Sequence, residues 1–407
     1  QFMKLSLIIP ENSFMQYKDK LKALGEKYFD YMVQTRRHLH QHPEVSYREY
    51  ETTEFIKNEL DKLGIPHQSP QETGCVGIIE GGIESDRVIA LRADIDALPM
   101  KEEGVAKEYF LSMNEGAAHC CGHDAHTANL LGVAHILMEL KHELRGTVLL
   151  IFQPGEEKLP GGGKMLCQTG FLQEKGVQQI LGLHSAPQFK PGTIATKAGP
   201  LMASPDEFEV EIFGKGGHAA RPHDAVDPIV MASQFITSLQ TIVSRSVDPT
   251  DSAVVTVGRI EGGTAHNIIP ESVKLWGTVR TLSKDTANLI EKKLEAILKG
   301  ITEAAGGAYI FEFNKGYPVV NNTTVETQKV LNNMGDLFGK ESVIEVDKPI
   351  MAGEDFSYYQ EHFPGAFFFA GSGSPEAESA YIWHHPKYNV DERMFKFTAP
   401  LMASLTL

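Results

Sequence analysis

Metal-binding and nucleophilic residue types are concentrated in residues 119–132, which read HCCGHDAHTANLLG. Two of the four cysteines of the chain and three histidines fall within the first eight positions of this stretch. Cys121 and His123 offer a thiol and an imidazole, both good ligands for Zn²⁺, directly before an apolar run that predicts a helix. Two other interpretations stay open: a buried cysteine beside a helix-capping Asp124, or a nucleophilic Cys121 with His123 as its base.

Further candidate ligands follow predicted strands elsewhere in the chain. The sequence FQPGEE places Glu156 and Glu157 after a buried strand, so that one carboxylate could bind a metal while the other moves a proton. His184 lies in the strand-like run GLHSAP, and His384 and His385 lie in WHHPKYNVDE. Each signal alone is equally typical of an acidic loop or a structural histidine. Together with the thiol, they predict a two-metal centre with sulfur, nitrogen and oxygen ligands.

The order of helical and strand-like patterns predicts two domains. Up to residue 199, strands alternate with helices, which indicates an α/β domain around a largely parallel sheet with its chemistry at the carboxyl ends of the strands. Residues 200–316 follow the order βαββαβ, which predicts an inserted ferredoxin-like domain. The chain then returns to α/β character. The predicted catalytic domain therefore comprises residues 1–199 and 317–407.

Composition argues against several classes of protein. With 42% hydrophobic and 22% charged residues among 407, the chain is typical of globular proteins. A formal net charge of −15 without a Lys/Arg run argues against nucleic-acid binding. No window reaches the roughly 18–20 apolar residues of a membrane span, and the start QFMKLSLIIPENS lacks a small-residue cleavage site, so we expect no membrane anchor and no signal peptide. The cysteines show no disulfide framework, which favours the cytoplasm.

Nine motifs in order carry a resemblance to a known family. They read LRADIDALP, CCGHDAHTA, FQPGEE, GLHSAP, GKGGHAARPH, AHNIIPE, GTVRT, AGEDFSYY and HHPKYNVDE. The chain resembles the M20 metallopeptidase superfamily, and within it the amidohydrolases that include hippurate hydrolase, N-acyl-L-amino acid amidohydrolase and the auxin-conjugate hydrolases. The likeness runs from about residue 36 to residue 393. It implies a zinc-peptidase-like catalytic domain with an inserted dimerisation or lid domain.

The resemblance also implies roles for individual residues. It makes Glu156 the catalytic base. His384 is implied as the last metal ligand, and the adjacent His385 is the alternative for that position. The implied metal ligands are Cys121 as a bridging thiolate, His123, Glu157, His184 and His384. Relatives outside this branch carry GHxDxxP, whereas this chain has Asp94 in place of that histidine. We therefore expect that Asp94 is not a usual ligand and that Asp96 orients a ligand instead.

The inserted domain contributes polar residues according to the same resemblance. His218, in GKGGHAARPH, is implied to reach across a homodimer and donate a hydrogen bond to the substrate carbonyl. Asn267 and Arg280 are implied to bind the substrate carboxylate, for which the planar guanidinium of arginine is well suited. From the residues alone, all three are equally compatible with ordinary loop or surface positions.

The expected activity is hydrolysis of the amide bond of small N-acyl amino acids by a water molecule that two divalent metal ions activate. Zinc or manganese is the first expectation, and cobalt and nickel also suit this ligand mixture. One alternative is a metal-poor, non-catalytic relative that acts as a binding protein. Another is a cysteine hydrolase with Cys121 as the nucleophile. The sequence leaves the acyl group and the amino acid open.

Overall fold

The computed structural model describes residues 11–407, and their side chains from Tyr17 onward. The amino-terminal run, for which the sequence predicts no signal peptide, falls largely in residues 1–10, outside this range. The chain divides into two compact units. The first comprises the described residues up to Gly199, together with Asn321–Asp347 and Tyr358–Leu407, and the second comprises Pro200–Val320 and Lys348–Ser357.

Helices and strands alternate through most of the described chain. The helices are α1 (Glu11–Lys27), α2 (Phe29–Gln41), α3 (Tyr50–Lys62), α4 (His123–Glu139), α5 (Gly162–Gln168), α6 (Phe171–Glu174), α7 (Pro228–Thr241), α8 (Lys284–Ala305), α9 (Thr324–Phe338), α10 (Ser357–Gln360) and α11 (Phe395–Ser404). The strands are β1 (His67–Gln68), β2 (Cys75–Glu80), β3 (Ile83–Asp94), β4 (Arg145–Gln153), β5 (Gln179–Ala186), β6 (Ile194–Thr196), β7 (Gly199–Met202), β8 (Ser204–Phe213), β9 (Gly217–His218), β10 (Ala253–Gly262), β11 (Ile268–Ile269), β12 (Ser272–Thr281), β13 (Ala308–Asn314), β14 (Val320–Asn322), β15 (Val343–Glu345) and β16 (Gly365–Gly371).

The first unit is built on an eight-stranded sheet with the order β1-β2-β4-β3-β5-β16-β6-β15. The four central strands, β4, β3, β5 and β16, run parallel, as their buried apolar sequences lead one to expect. The sheet is less parallel than the sequence predicts, because β2 pairs antiparallel with β4 and β6 pairs antiparallel with β16. Since the central strands share one direction, the residues that follow β3, β4 and β5 meet at one edge of the sheet.

Helix α4 crosses the interior of the first unit. Nearly all of its residues are buried, and its apolar side chains cover all sides of the helix, which suits a helix surrounded by protein. It packs in the same hydrophobic core as residues of α2, α11 and the central strands. The amino-terminal end of α4 is therefore held rigidly, and this end carries the cluster that the sequence first indicates.

The four-stranded sheet and the two long helices of the second unit follow the chain order β8, α7, β10, β12, α8, β13. Its four-stranded sheet has the order β10-β12-β8-β13, and every neighbouring pair in it is antiparallel. Helices α7 and α8 pack in one core with the buried side chains of these strands. Asp227 and Ser283 cap the two helices through hydrogen bonds to backbone N–H groups of the first turn.

The second unit includes residues that the sequence assigned to the other domain. The predicted insertion ends at residue 316, whereas this unit continues to Val320 and takes in Lys348–Ser357. The backbone of Ala203 donates to the carbonyl groups of Ile350 and Ala352, so this later segment pairs with the start of the unit. Such pairing between distant segments has no local sequence pattern.

Among the described residues, no helix combines the length and apolar character needed to cross a bilayer.

Candidate metal centre

A glycine at the start of helix α4 brings Cys121 and His123 to the same site. Gly122 has φ of +94°, in the left-handed region that favours glycine. A Cβ atom at this position would lie 2.4 Å from Ser185 Oγ and 2.8 Å from the Tyr388 hydroxyl, so no larger residue fits. The turn lets the thiol and the imidazole, on either side of Gly122, face the edge of the sheet.

The five predicted ligands converge in three overlapping groups, and within each group the candidate ligand atoms lie within 4.8 Å of one another. Cys121 Sγ lies 3.3 Å from His184 Nε2, and His384 Nε2 lies 3.2 Å from Glu157 Oε1. His123 Nε2 lies 3.9 Å from the same Glu157 oxygen. The groups are Cys121–His123–His184, Cys121–Glu157–His384 and His123–Glu156–Glu157. Cys121, His123 and Glu157 are each shared between two groups, so the site is continuous.

Hydrogen bonds turn the coordinating nitrogens of two histidines toward the cluster. His184 Nδ1 lies 2.8 Å from the carbonyl oxygen of Ser185, so Nδ1 carries the proton and Nε2 keeps its lone pair beside Cys121. His123 Nδ1 lies 3.1 Å from Asp96 Oδ1. This carboxylate–histidine pairing is typical of metal ligands, whose free nitrogen it orients. The predicted orienting role of Asp96 is compatible with this geometry.

The structure distinguishes between the two adjacent histidines near the carboxyl terminus. His384 has φ of +66°, and its backbone N–H donates to the carbonyl of Cys120 at 2.8 Å. This conformation directs its imidazole to Glu157. The ring of His385 instead stacks on Tyr381 with centroids 4.5 Å apart. His384 therefore belongs to the cluster, whereas the sequence left the choice open.

His126 was missed by the sequence reasoning. It lies one turn after His123 on α4, and its Nδ1 is 2.6 Å from Asp94 Oδ1. Its Nε2 accepts the backbone N–H of Ser185 at 2.8 Å. Asp94 in turn accepts a hydrogen bond from Arg92 at 2.8 Å, so its charge already has a buried partner. His126 thereby links α4 to β3 and β5. The sequence signal for it was its i, i+3 spacing from His123.

The donor set suits divalent cations. His123 Nε2 is buried and has no hydrogen-bond partner among the described residues, although it is a strong polar group. Burial and the charges of Glu157, Glu156 and Asp94 raise the pKa of the Cys121 thiol well above its usual range. A cysteine nucleophile needs a positive neighbour that lowers its pKa, whereas the charges that act on this thiol are those of carboxylates. Zn²⁺ or a similar ion would stabilise this group of buried thiol, imidazole and carboxylate side chains in contact.

The second unit holds the three other predicted site residues. His218 and Asn267 line an open pocket of about 630 Å³. His218 is exposed and its Nδ1 accepts the backbone N–H of Ala220. Arg280 lies on β12, outside the lining of this pocket, and donates to the carbonyl of Val279 and the hydroxyl of Thr278. Two of the three residues are thus brought together within this unit.

A buried charge network supports the amino-terminal end of α4. Arg36 is almost fully buried and donates to Asp124 at 3.0 Å, Asn389 at 2.8 Å and Glu392 at 3.1 Å. His40 Nδ1 also contacts Asp124, at 2.7 Å. Helix α2 is therefore tied to α4 and to the segment after His384. The sequence indicates only a helix-capping role for Asp124, whereas its partners in the structure, Arg36 and His40, come from another helix.

We expect Arg36→Leu to lower the free energy of unfolding by about 3–5 kcal/mol, because it leaves buried acceptors without a partner. Arg37→Leu is the matched control: Arg37 also pairs with Glu392, at 2.7 Å, but its side chain is 48% exposed. The control should cost less than about 1 kcal/mol. Denaturant unfolding of both variants measures the difference, and equal costs would contradict a structural role for the Arg36 network.

Ionisation of the Glu102 carboxylate should make the free energy of unfolding depend on pH in the acid range. Burial alone would raise its pKa, but His40 and Lys107 lower the pKa of Glu102 to about 2 from 4.5. A lowered folded-state pKa contributes stability above pH 4.5 that is lost as the pH falls toward 2. The unfolding free energy of Glu102→Gln should therefore approach that of the wild type as the pH is lowered through this window. A difference that stays constant with pH would contradict the assignment.

Comparison with known proteins gives the family. Residues 90–406 match the family described as Peptidase family M20/M25/M40. An N-acetyl-L-cysteine deacetylase of Bacillus subtilis (strain 168) is 43% identical over 363 residues, 89% of this chain and 84% of the relative. An N-acyl-L-amino acid amidohydrolase of Geobacillus stearothermophilus is 42% identical over 306 residues, 75% of this chain and 81% of the relative. The chain belongs to the M20 peptidase family, in its amidohydrolase branch.

A solved structure extends the comparison to the fold. The Bacillus subtilis YXEP protein, described as a dinuclear metal binding peptidase from the M20 family, superposes with a TM-score of 0.80 at 34% identity. The match covers 94% of this chain and 98% of that one. The mixed α/β fold and the resemblance stated from the motifs are thereby confirmed. The protein is a metal-dependent hydrolase that acts on amides and uses divalent metal ions.

Proposed function

We propose that this protein hydrolyses the amide bond of small N-acyl amino acids, with two divalent metal ions in the cluster described above. The observation that carries the proposal is the sharing of Cys121 between two ligand groups, one with His123 and His184 and one with Glu157 and His384. A shared thiolate between two sets of ligands supports a pair of adjacent ions. The printed names of the two relatives, a deacetylase and an N-acyl amino acid amidohydrolase, support the substrate class.

Metal ions bound there would act as Lewis acids that activate water and polarise the scissile carbonyl. Zinc and manganese are the first candidates, and cobalt and nickel are compatible with the same ligands. The residues of the chain would hold these ions. Glu157 would supply a carboxylate oxygen and the three histidines Nε2 atoms, while Asp96 and the carbonyl of Ser185 fix two of the rings.

Glu156 is the proposed general base. It is 7% exposed and lies beside His123 and Glu157 in one of the ligand groups, so it can reach a water molecule at the cluster without being required as a ligand. Its carboxylate takes a proton from the attacking water and later delivers that proton to the leaving amine. The acyl carbon–nitrogen bond breaks, and a carboxylic acid and a free amino acid are released.

The second unit is proposed to be the ferredoxin-like dimerisation domain. Its strand β10 is at the edge of the sheet and exposes Val254 and Ile260, and such an edge is suited to pairing with a second copy. In the homodimer, His218 of the partner subunit would donate a hydrogen bond to the substrate carbonyl oxygen. Asn267 and Arg280 would bind the substrate carboxylate.

A cytoplasmic location is part of the same proposal. The four cysteines are buried and form no disulfide, which is typical of proteins in a reducing compartment.

The test is turnover of a small panel: N-acetyl amino acids, N-benzoylglycine, N-acetyl-diaminopimelate and an indoleacetyl amino acid. Each substrate is measured after chelation and after adding back Zn²⁺, Mn²⁺, Co²⁺ or Ni²⁺. We expect activity that disappears on chelation and returns with at least one metal. Turnover that resists chelation and disappears on thiol alkylation would support the cysteine hydrolase instead. No turnover and well under one metal equivalent would support the metal-poor binding protein.

A further inference from the structure

The segment Ser46–Glu49, between helices α2 and α3, contacts the loop that carries the proposed base and one ligand. That loop follows β4 and comprises residues 154–161, PGEEKLPG. Ser46 Oγ donates to Asp96 Oδ2 at 2.6 Å. The same carboxylate oxygen accepts the backbone N–H of Glu157 at 3.0 Å. Ser46 therefore orients the carboxylate that holds both the His123 ring and the backbone of the carboxylate ligand.

Tyr47 fixes the far side of the loop. Its hydroxyl donates to the carbonyl of Lys158 at 2.6 Å and accepts the N–H of Gly161 at 3.0 Å. Its ring lies directly against Gly155, where an added Cβ would be only 2.2 Å from Tyr47 Cε1. Tyr47 itself has φ of +64°. An aromatic residue is strained in this region, so the contacts with the loop must offset strain in the segment.

Glu49 fixes the near side of the loop. Its side chain is fully buried, and Oε1 accepts the N–H of Gly155 and the N–H of Tyr47, each at 2.9 Å. Oε2 accepts the hydroxyl of Thr73 at 2.8 Å. Burial, together with the charge of Asp96, raises the pKa of Glu49 to about 7. This position requires an oxygen atom that accepts hydrogen bonds from two N–H groups. The side-chain amide of glutamine also provides such an oxygen.

We propose that Ser46, Tyr47 and Glu49 are positioning residues that hold Glu156 and Glu157 in place. The inference rests on the proposed function of that pair. The three side chains reach the loop at separate points: Gly155 before the pair, the N–H of Glu157 through Asp96, and Lys158 and Gly161 after it. Within 154–161, backbone groups on both sides of the two carboxylates are therefore bound by one short segment.

Glu49→Ala and Tyr47→Phe test the proposal kinetically. Loss of a residue that orients a ligand costs about 10–100-fold, so we expect kcat to fall in that range with KM changed by less than about threefold. Glu49→Gln should retain kcat within about threefold of the wild type, because it keeps the acceptor. If Glu49→Ala does not fold, Tyr47→Phe carries the test, since it removes one hydroxyl and keeps the ring.

Glu44→Ala is the matched control. Glu44 also accepts two backbone N–H groups, from Glu51 and Thr52 at the start of α3, but no hydrogen bond of its side chain reaches the 154–161 loop among the described residues. We expect it to lower stability and leave kcat unchanged. A loss of kcat in Glu44→Ala equal to that in Glu49→Ala would overturn the proposal, because the effect would then follow from stability alone.

A second readout does not depend on activity. Amide hydrogen exchange of residues 154–161 is measured in the metal-free protein, and metal affinity is measured by competition with a chelator. Exchange should be faster in Glu49→Ala and Tyr47→Phe and unchanged in Glu49→Gln and Glu44→Ala. Unchanged exchange and unchanged metal affinity in a folded Glu49→Ala would overturn the proposal. A wild type without amide hydrolysis would overturn the proposed function alone, because the exchange result still decides the role of the segment.

Discussion

Glu156→Gln should lower kcat by about 10²–10⁴-fold while the protein keeps its full metal content. Glutamine has nearly the shape of glutamate but cannot accept a proton, so the variant removes proton transfer and preserves packing. Glu156 lies in one ligand group with His123 and Glu157, but the five proposed ligands are other side chains, so we expect metal binding without the Glu156 carboxylate. Steady-state kinetics and metal analysis of the same sample measure both effects.

Glu157→Gln is the matched control for this experiment. It makes the same chemical change one residue later, in the carboxylate that contacts His384 and His123. We expect this control to lose metal as well as activity. Near wild-type turnover in Glu156→Gln would remove Glu156 from the mechanism, and an equal loss of metal in both variants would make it a ligand.

Cys121→Ala should lower metal affinity and turnover together, each by at least about 100-fold. Cys121 is the only cysteine in the ligand groups found among the described residues, and it contributes to two of them. Loss of an orienting partner already costs about 10–100-fold in metal affinity, and loss of a shared ligand should cost more. Equilibrium binding of the metal and kcat are measured for the variant.

Cys120→Ala provides a control at the neighbouring position. The Cys120 thiol is buried beside the carbonyl of Pro386 at 3.9 Å and belongs to no ligand group found in the described part of the chain. We expect near wild-type metal content and kcat. If Cys121→Ala retained its metal and lost only turnover, the thiol would be a nucleophile and the bridging role would be wrong.

The segments that bear the ligands could be found from the sequence because each one has a local signal. Glu156 and Glu157 follow a buried strand, and Cys121 and His123 lie at the start of an apolar helix. Parallel strands bring distant segments to one edge of the sheet. The residue types and their positions relative to the strands were therefore sufficient to predict that these side chains lie close together. The order of elements in the second unit was likewise visible as alternating and helical periodicities.

Other features of the site depend on contacts that no local pattern encodes. The choice of His384 follows from a positive φ, which turns two consecutive imidazoles in different directions. The role of His126 depends on Asp94 and Ser185, which come from two different strands. The direction of β2 and β6, and the inclusion of 348–357 in the second unit, likewise follow from tertiary pairing.

The most direct test of the two-metal account is titration of the metal-free protein with the metal that restores activity. Bound metal and kcat are followed together as equivalents are added. The account predicts two equivalents per chain, with full turnover only after the second has bound. Full turnover at one equivalent, or turnover that needs no metal, would contradict it.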